Sequence, residues 1–99
     1  MQSMTLKWKI EFEDKAEKDL FTLDSVDRRR VVKFLKERVA TLADPRRLGT
    51  PLQRRGTIKE GYFRFRVGDI RIIASLEYKI VTVLVVTIGR RSTIYRDYW

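Results

Sequence analysis

The sequence predicts an α+β fold of order β-α-α-β-β-β, in which a helical hairpin packs on one face of an antiparallel sheet. Three observations support this fold class. The N-terminal segment alternates apolar and charged residues, two segments with helical spacing follow it, and three runs rich in β-branched and aromatic residues occupy the C-terminal half. A chain of 99 residues suits one compact domain, so residues 1–99 are interpreted as a single unit.

The first half of the chain is predicted to hold one strand and two helices. Residues 6–12 alternate apolar and charged positions, which is typical of a strand with one buried face. Residues 14–23 form the first predicted helix. Ser25 is the candidate N-cap of the second helix, which is expected to end before Asp44 and Pro45 because proline cannot continue a helix.

The second half of the chain is predicted to be an irregular connection followed by three strands. Residues 44–61 hold both prolines and three glycines, which indicates irregular structure. Residues 62–67 and 70–75 alternate around the dipeptide Gly68-Asp69, the pattern of a tight β-hairpin. Residues 80–88 are apolar on both faces and are therefore predicted to form a central strand.

Composition restricts the function classes. Lys and Arg number 22 against 13 Asp and Glu, and this formal charge of +9 favours a nucleic-acid partner. The chain contains no His and no Cys, which excludes imidazole-based triads, disulfides and the usual zinc sites. No apolar run approaches the roughly 20 residues of a membrane span, so a cytoplasmic protein without a membrane partner is expected.

Basic side chains converge around the predicted hairpin turn. If Gly68 and Asp69 form the turn, Arg66 and Arg71 lie directly opposite each other on one face. Like charges so placed destabilise a hairpin by up to about 1 kcal/mol, so an anion is expected between them. Single arginines on strands are usually solvated, but this clustering favours a phosphate site. The candidate site residues are Tyr62, Arg64, Arg66, Arg71, Arg90, Arg91 and Tyr95, of which the two tyrosines are candidates for stacking on bases.

Several of these segments resemble a known family when they are taken together. They are Asp44-Pro45-Arg46, the run YFRFRVGDIRII from Tyr62 to Ile73, and the segment from Val83 to Tyr95 with Gly89-Arg90-Arg91. Over nearly its full length the chain is similar to the RelE/ParE toxin superfamily, and to RelE-like mRNA interferases of type II toxin–antitoxin systems in particular.

The resemblance implies a compact, RelE-like microbial RNase fold and a reaction. Such toxins enter the ribosomal A site and cleave mRNA there, with the ribose 2′-hydroxyl attacking the adjacent phosphate. Arg71 matches the family arginine after the hairpin turn, Arg91 the arginine after the Gly-x motif, and Tyr95 the C-terminal tyrosine. The resemblance thus implies that Arg66, Arg71, Arg91 and Tyr95 are catalytic, that Arg64 binds the phosphate, and that no cofactor or metal takes part. From their places in the basic and aromatic segments, Arg90 and Tyr62 are predicted to bind RNA.

Two departures from the family pattern concern proton transfer. Many relatives have His where Arg90 stands, and well-known nucleases of the family have Lys at the positions of Arg64 and Arg66. Arginine is a poor general base because its pKa is about 12 or higher. The general base is therefore left open, with Tyr95 and groups of the ribosome as candidates.

The resemblance also implies partners and two alternatives. An acidic, amphipathic antitoxin is expected to bind this basic chain in a hetero-oligomer, and the ribosome and mRNA are the expected targets. One alternative is a ParE-like toxin that inhibits DNA gyrase by binding. The other is a ribosome-bound translation inhibitor without catalytic activity.

Overall fold

The structure is a computed structural model that describes residues 7–52, 61–92 and 94. It confirms an α+β fold with two helices and a sheet. The second helix continues into a π-helical turn, and two short 3₁₀ turns, Pro45–Arg47 and Tyr78–Ile80, lie in connections. The elements are β1 (Lys9–Phe12), α1 (Asp14–Thr22), α2 (Ser25–Phe34), the π-helical turn (Leu35–Val39), β2 (Thr50–Pro51), β3 (Tyr62–Val67), β4 (Ile70–Glu77) and β5 (Thr82–Arg90).

The sheet is mixed, whereas the sequence predicted an antiparallel one. Its strand order is β1-β5-β4-β3-β2, and β1 pairs with β5 in parallel, from Lys9 opposite Thr82 to Phe12 opposite Val85. The remaining pairs are antiparallel. Alternation of apolar residues reports which face of a strand is buried, but it does not report the strand's neighbour or direction. The helical hairpin carries the chain across the sheet, so β1 lies beside the last strand.

Other predicted boundaries also differ from the structure: β1 covers Lys9–Phe12 rather than 6–12, and β4 covers Ile70–Glu77 rather than 70–75. The connection 44–61 contains the short strand β2, which pairs with Arg64 and Phe63 of β3. The last strand covers Thr82–Arg90 rather than 80–88, and it is an interior strand while β4 occupies the middle of the sheet. Pro51 is tolerated in β2 because this strand lies at the sheet edge.

The helical hairpin is held by caps at its connection. Asp24, rather than Ser25, is the N-cap of α2, and its Oδ1 accepts the N–H of Asp27 at 2.9 Å. The Arg28 side chain donates to the carbonyl oxygens of Leu20 (3.4 Å) and Leu23 (3.0 Å) and so caps the end of α1. Both caps stabilise the connection between α1 and α2. Among the described residues, no helix has the length and apolar character that crossing a bilayer demands.

The core lies between the helical hairpin and one face of the sheet. Phe65 is 1% exposed and its ring meets that of Phe34 edge-on at 6.4 Å, while Ile70 and Ile72 are fully buried beside it. Trp8 also belongs to this core. A smaller apolar cluster occupies the opposite face of the sheet and consists of Leu52, Ile73 and Ile94 with Tyr62 packed against them.

Val81 has a strained backbone in the connection between β4 and β5. Its φ is +49°, the left-handed region, where a β-branched residue costs roughly 1–2 kcal/mol. Val81 is 43% exposed, so its side chain is only partly buried. We therefore expect Val81→Gly to raise the free energy of unfolding by about 0.5–1 kcal/mol, which corresponds to a few degrees in thermal midpoint. Thermal unfolding followed by circular dichroism measures this shift.

The same substitution at Val26 is the matched control. Val26 is also exposed but lies in the first turn of α2, where its φ is not in the left-handed region. Val26→Gly should lower stability by a few tenths of a kcal/mol because glycine is a poor helix former. A lower midpoint for Val81→Gly would contradict the strain assigned to this position.

Candidate active site

The β3–β4 hairpin brings two arginines into register. Arg66 lies opposite Arg71 and Arg64 opposite Ile73, so the predicted pairing is confirmed. Gly68, with a φ of +61°, takes the first position of the two-residue turn, as in type II′ hairpins. The Cβ atoms of directly opposite residues are about 4.5–5.5 Å apart, so the guanidinium groups can approach a common ligand.

Three arginines share the face of the sheet that lies away from the helices. Phe63 and Phe65 are buried against the helical hairpin, and Arg64 and Arg66 alternate with them. Arg71 likewise alternates with core residues of β4. The structure therefore brings Arg64, Arg66 and Arg71 together on one face, as the sequence predicted. We call these three residues the arginine cluster.

Arg71 is buried although it carries a charge. It is 5% exposed, and its Nη1 donates to the carbonyl oxygens of Gly68 at 3.0 Å and Ile70 at 3.4 Å. Its Nε is buried without a hydrogen-bond partner, and no carboxylate of the described residues forms an ion pair with it. An unsatisfied buried donor costs about 1–3 kcal/mol, and more for a charged group. Arg71 is thus a buried charge that lacks a counter-charge within the described part of the chain.

Arg90 does not join the arginine cluster, although the sequence placed it among the candidates. Its β-pairing partner is Ile70, which belongs to the core on the helix side. Arg90 Nη2 lies 2.6 Å from Asp27 Oδ2, and Nη1 lies 2.7 Å from Asp69 Oδ1. The hydrogen bond that Arg90 donates to Asp27, followed by the one that it donates to Asp69, raises the pKa of Arg90 above its ordinary value. The Arg90 guanidinium thus forms ion pairs with two carboxylates.

The remaining candidates occupy different positions. The backbone N–H of Arg91 donates to the carbonyl oxygen of Asp69 at 2.8 Å, so the Arg91 backbone lies beside the hairpin turn. Arg91 is exposed. Tyr62 is half-buried against the small apolar cluster, on the same face as the arginine cluster. Tyr95 lies outside the described residues. Its predicted role as a catalytic or stacking group therefore remains a prediction.

Sequence reasoning missed the acidic residues around the hairpin turn. Asp27 is 14% exposed and bonds Arg90 as well as Arg30, whose Nη1 lies 3.4 Å from Asp27 Oδ1. Asp69 was interpreted only as a turn residue. Asp69 lies beside the predicted arginine pair in a basic chain, so the sequence did indicate that its carboxylate could bind an arginine. It did not indicate which one, because the partner, Arg90, comes from β5. Within the described part of the chain, no group of three carboxylates could hold a metal ion.

Comparison with known proteins identifies the family. Residues 10–95 match the family model described as ParE toxin of type II toxin-antitoxin system, parDE. The chain belongs to this family. It is therefore a toxin of the RelE/ParE superfamily, as the resemblance indicated, and a toxin of the type II toxin–antitoxin class.

Solved structures show the fold of this toxin. The toxin–antitoxin complex RelBE2 from Mycobacterium tuberculosis is similar at a TM-score of 0.74 with 24% identity, over 92% of this chain and 99% of that one. The isolated RelE toxin of E. coli gives 0.65 with 20% identity, over 91% and 93%. The archaeal RelE-RelB complex from Pyrococcus horikoshii gives 0.61 with 22% identity, over 87% and 97%. Among curated proteins, none matches the chain significantly.

Proposed function

We propose that this toxin is a ribosome-dependent endoribonuclease that cleaves mRNA in the A site. The observation that carries the proposal is the pair Arg66 and Arg71, like charges on opposite strands, with the Nε of Arg71 buried and unpartnered among the described residues. A phosphodiester between them would relieve the repulsion and, once it displaces the groups that cover Arg71, accept that N–H. The planar guanidinium of arginine presents paired N–H donors, which suit the equatorial oxygens of a phosphate in its transition state.

The proposed reaction is an internal displacement at phosphorus. The ribose 2′-oxygen forms a bond to the adjacent phosphorus while the bond from phosphorus to the 5′-oxygen breaks, which leaves a 2′,3′-cyclic phosphate and a 5′-hydroxyl. The 2′-hydroxyl loses one proton and the departing 5′-oxygen gains one. We assign stabilisation of the pentacovalent phosphate to Arg71 and Arg91, with Arg91 also serving the leaving oxygen. Arg64 and Arg66 bind the phosphate and orient the ribose.

Proton removal is assigned outside the arginine cluster. The chain contains no His, and an arginine holds its proton too tightly to act as a base at neutral pH. The proton acceptor is therefore Tyr95 or a group of the ribosome. Tyr62 and Tyr95 are proposed to stack on bases beside the cleaved phosphate. Internal attack by a 2′-hydroxyl requires no metal-activated water, so the proposal includes no metal and no cofactor.

We further propose an acidic protein antitoxin as the physiological partner. Two similar structures, from M. tuberculosis and P. horikoshii, are complexes of a toxin with its antitoxin. This chain carries a formal charge of +9, which an acidic segment would neutralise. Because its proposed targets are cytoplasmic, we propose that the toxin resides in the cytoplasm in a hetero-oligomer with this antitoxin.

A cleavage assay on programmed ribosomes tests the proposed function. Purified toxin is incubated with ribosomes that hold a defined codon in the A site, and the mRNA ends are mapped and their chemistry determined. We expect a cut within the A-site codon that yields a 2′,3′-cyclic phosphate. The same mRNA without ribosomes is the control and should stay intact.

A second candidate function follows from the family model itself, which is described for ParE toxins. Under that alternative the protein binds DNA gyrase and blocks supercoiling without cutting RNA. Intact ribosome-bound mRNA together with inhibited supercoiling would establish it and exclude the nuclease. Inhibited translation with intact mRNA and normal supercoiling would instead identify a ribosome-bound inhibitor without catalytic activity.

A further inference from the structure

We propose that Asp27, Arg90 and Asp69 form a clamp that positions Arg71 and Arg91 for cleavage, and that Arg90 does not bind RNA. This inference rests on the proposed function. Arg90 is thus a positioning residue, in contrast to the RNA-binding role that the sequence suggested for it.

The clamp joins three elements of the fold. Asp27 belongs to the first turn of α2, Arg90 ends β5, and Asp69 lies in the β3–β4 turn. The two terminal nitrogens of Arg90 each contact a different carboxylate, at 2.6 and 2.7 Å. A planar guanidinium can bridge two carboxylates in this way, whereas an ammonium on a flexible stem cannot hold the same geometry.

The clamped turn supplies anchors to Arg71 and Arg91, the two arginines to which stabilisation of the pentacovalent phosphate is assigned. The carbonyl oxygen of Gly68 accepts a hydrogen bond from Arg71 Nη1 at 3.0 Å. The next carbonyl oxygen, that of Asp69, accepts the N–H of Arg91 at 2.8 Å. A displaced turn therefore displaces both arginines. Small misplacements of reacting groups, of about 1 Å, can lower a rate by roughly 100-fold.

Charge and position separate Arg90 from RNA binding. Its guanidinium bonds two carboxylates, and Asp27 bonds a second arginine, Arg30, so the group of two arginines and two aspartates has no net charge. Arg90 also pairs with Ile70 on the helix side of the sheet, away from the arginine cluster. The Nη2 of Arg30 would lie 3.2 Å from a Cβ at Gly68, so Arg30 packs against the same turn.

Two variants distinguish positioning from RNA binding. Asp69→Ala removes one arm of the clamp and a negative charge near the RNA. If the clamp positions the site, the cleavage rate at saturating ribosomes falls about tenfold while ribosome affinity stays within about twofold. Arg90→Lys keeps the charge but not the bridge, so we expect a similar loss of rate. If Arg90 binds RNA instead, Asp69→Ala tightens RNA binding with no loss of rate, and Arg90→Lys retains most activity. That result would overturn the inference.

A structural measurement separates failure of the clamp from failure of the proposed function. Hydrogen exchange at the Arg91 amide reports its bond to the Asp69 carbonyl, and Asp69→Ala should speed that exchange about tenfold. Glu11→Gln makes the same charge change at an exposed position of the edge strand β1 and should alter neither exchange nor cleavage. Unchanged exchange in Asp69→Ala overturns the clamp even if the wild-type protein cleaves RNA. Faster exchange with no wild-type cleavage supports the clamp and rejects the nuclease.

Discussion

Arg71→Ala is expected to lower the cleavage rate of ribosome-bound mRNA by roughly 100- to 1000-fold, because removal of one preorganised donor to a transition-state anion costs about 3–4 kcal/mol. Arg71 is already desolvated and held by two backbone carbonyls, so it needs little reorganisation when the phosphate becomes pentacovalent. Ribosome affinity should change by less than about threefold, since the remaining charge of the toxin is intact. Single-turnover cleavage and a filter-binding assay measure the two effects separately.

Stability should be little affected by this substitution. Arg71→Ala removes hydrogen bonds to the turn, but it also removes the like-charge contact with Arg66 and an unpartnered buried donor. A thermal midpoint close to that of the wild type would show that lost activity is not lost folding. Arg71→Lys retains the charge without the planar fork, and we expect it to recover only part of the rate.

Arg38→Ala is the matched control for charge. Arg38 is exposed on the π-helical turn that follows α2, on the helical layer rather than on the arginine cluster. Its loss should leave the cleavage rate within about twofold. If Arg71→Ala lowers affinity and cleavage equally, the arginine cluster binds but does not catalyse, and the alternative of a non-catalytic inhibitor is favoured.

Asp19→Ala is expected to lower the free energy of unfolding by about 2 kcal/mol, because this α1 carboxylate takes the place of a missing strand partner. Strand β1 pairs with β5 only as far as Val85. Further along β5, Asp19 Oδ2 accepts the N–H of Ile88 at 3.0 Å and the hydroxyl of Thr87 at 2.9 Å. It also bonds Lys15 Nζ at 2.8 Å. Alanine would leave the strand N–H without this acceptor.

The Asp19 contribution should depend on pH. Partial burial raises the pKa of Asp19, but hydrogen bonds from Lys15, from the Ile88 N–H and from Thr87 together lower it below the ordinary value of 3.8. The folded state therefore binds a proton at this group less readily than the unfolded state does. Its stabilisation is complete above about pH 5 and is lost as the pH falls from 3.8 through the native pKa.

Urea unfolding at several pH values measures this dependence. Asp19→Asn removes the charge but keeps an oxygen acceptor, so the stability difference from the wild type should be about 1 kcal/mol at neutral pH and should shrink in acid. Glu17→Gln, an exposed charge change on the same helix, should cost less than about 0.5 kcal/mol. A stability difference between the wild type and Asp19→Asn that stays constant down to pH 2 would contradict the assignment.

The sequence predicted some features of the fold and of the arginine cluster but not others. The β3–β4 hairpin follows from local signals, since Gly68 can adopt a positive φ and alternation on both sides determines the register. The parallel pairing of β1 with β5 has no local signal, because the two strands are separated by most of the chain. The shared face of Arg66 and Arg71 likewise follows from local register, so the sequence predicted it. The burial of Arg71 has no such local signal, so the sequence did not predict it.

Local sequence determined the hairpin turn and the alternation of arginines with core residues, because both depend on neighbours a few residues apart. Composition determined the net positive charge. Tertiary structure decided which charges are neutralised and which are not. Asp27 and Asp69 reach Arg90 only after α2 and β5 pack together, while no carboxylate of the described residues reaches Arg71. Electrostatic interactions act through space, so the partners of each arginine depend on packing that alternation along the chain does not encode.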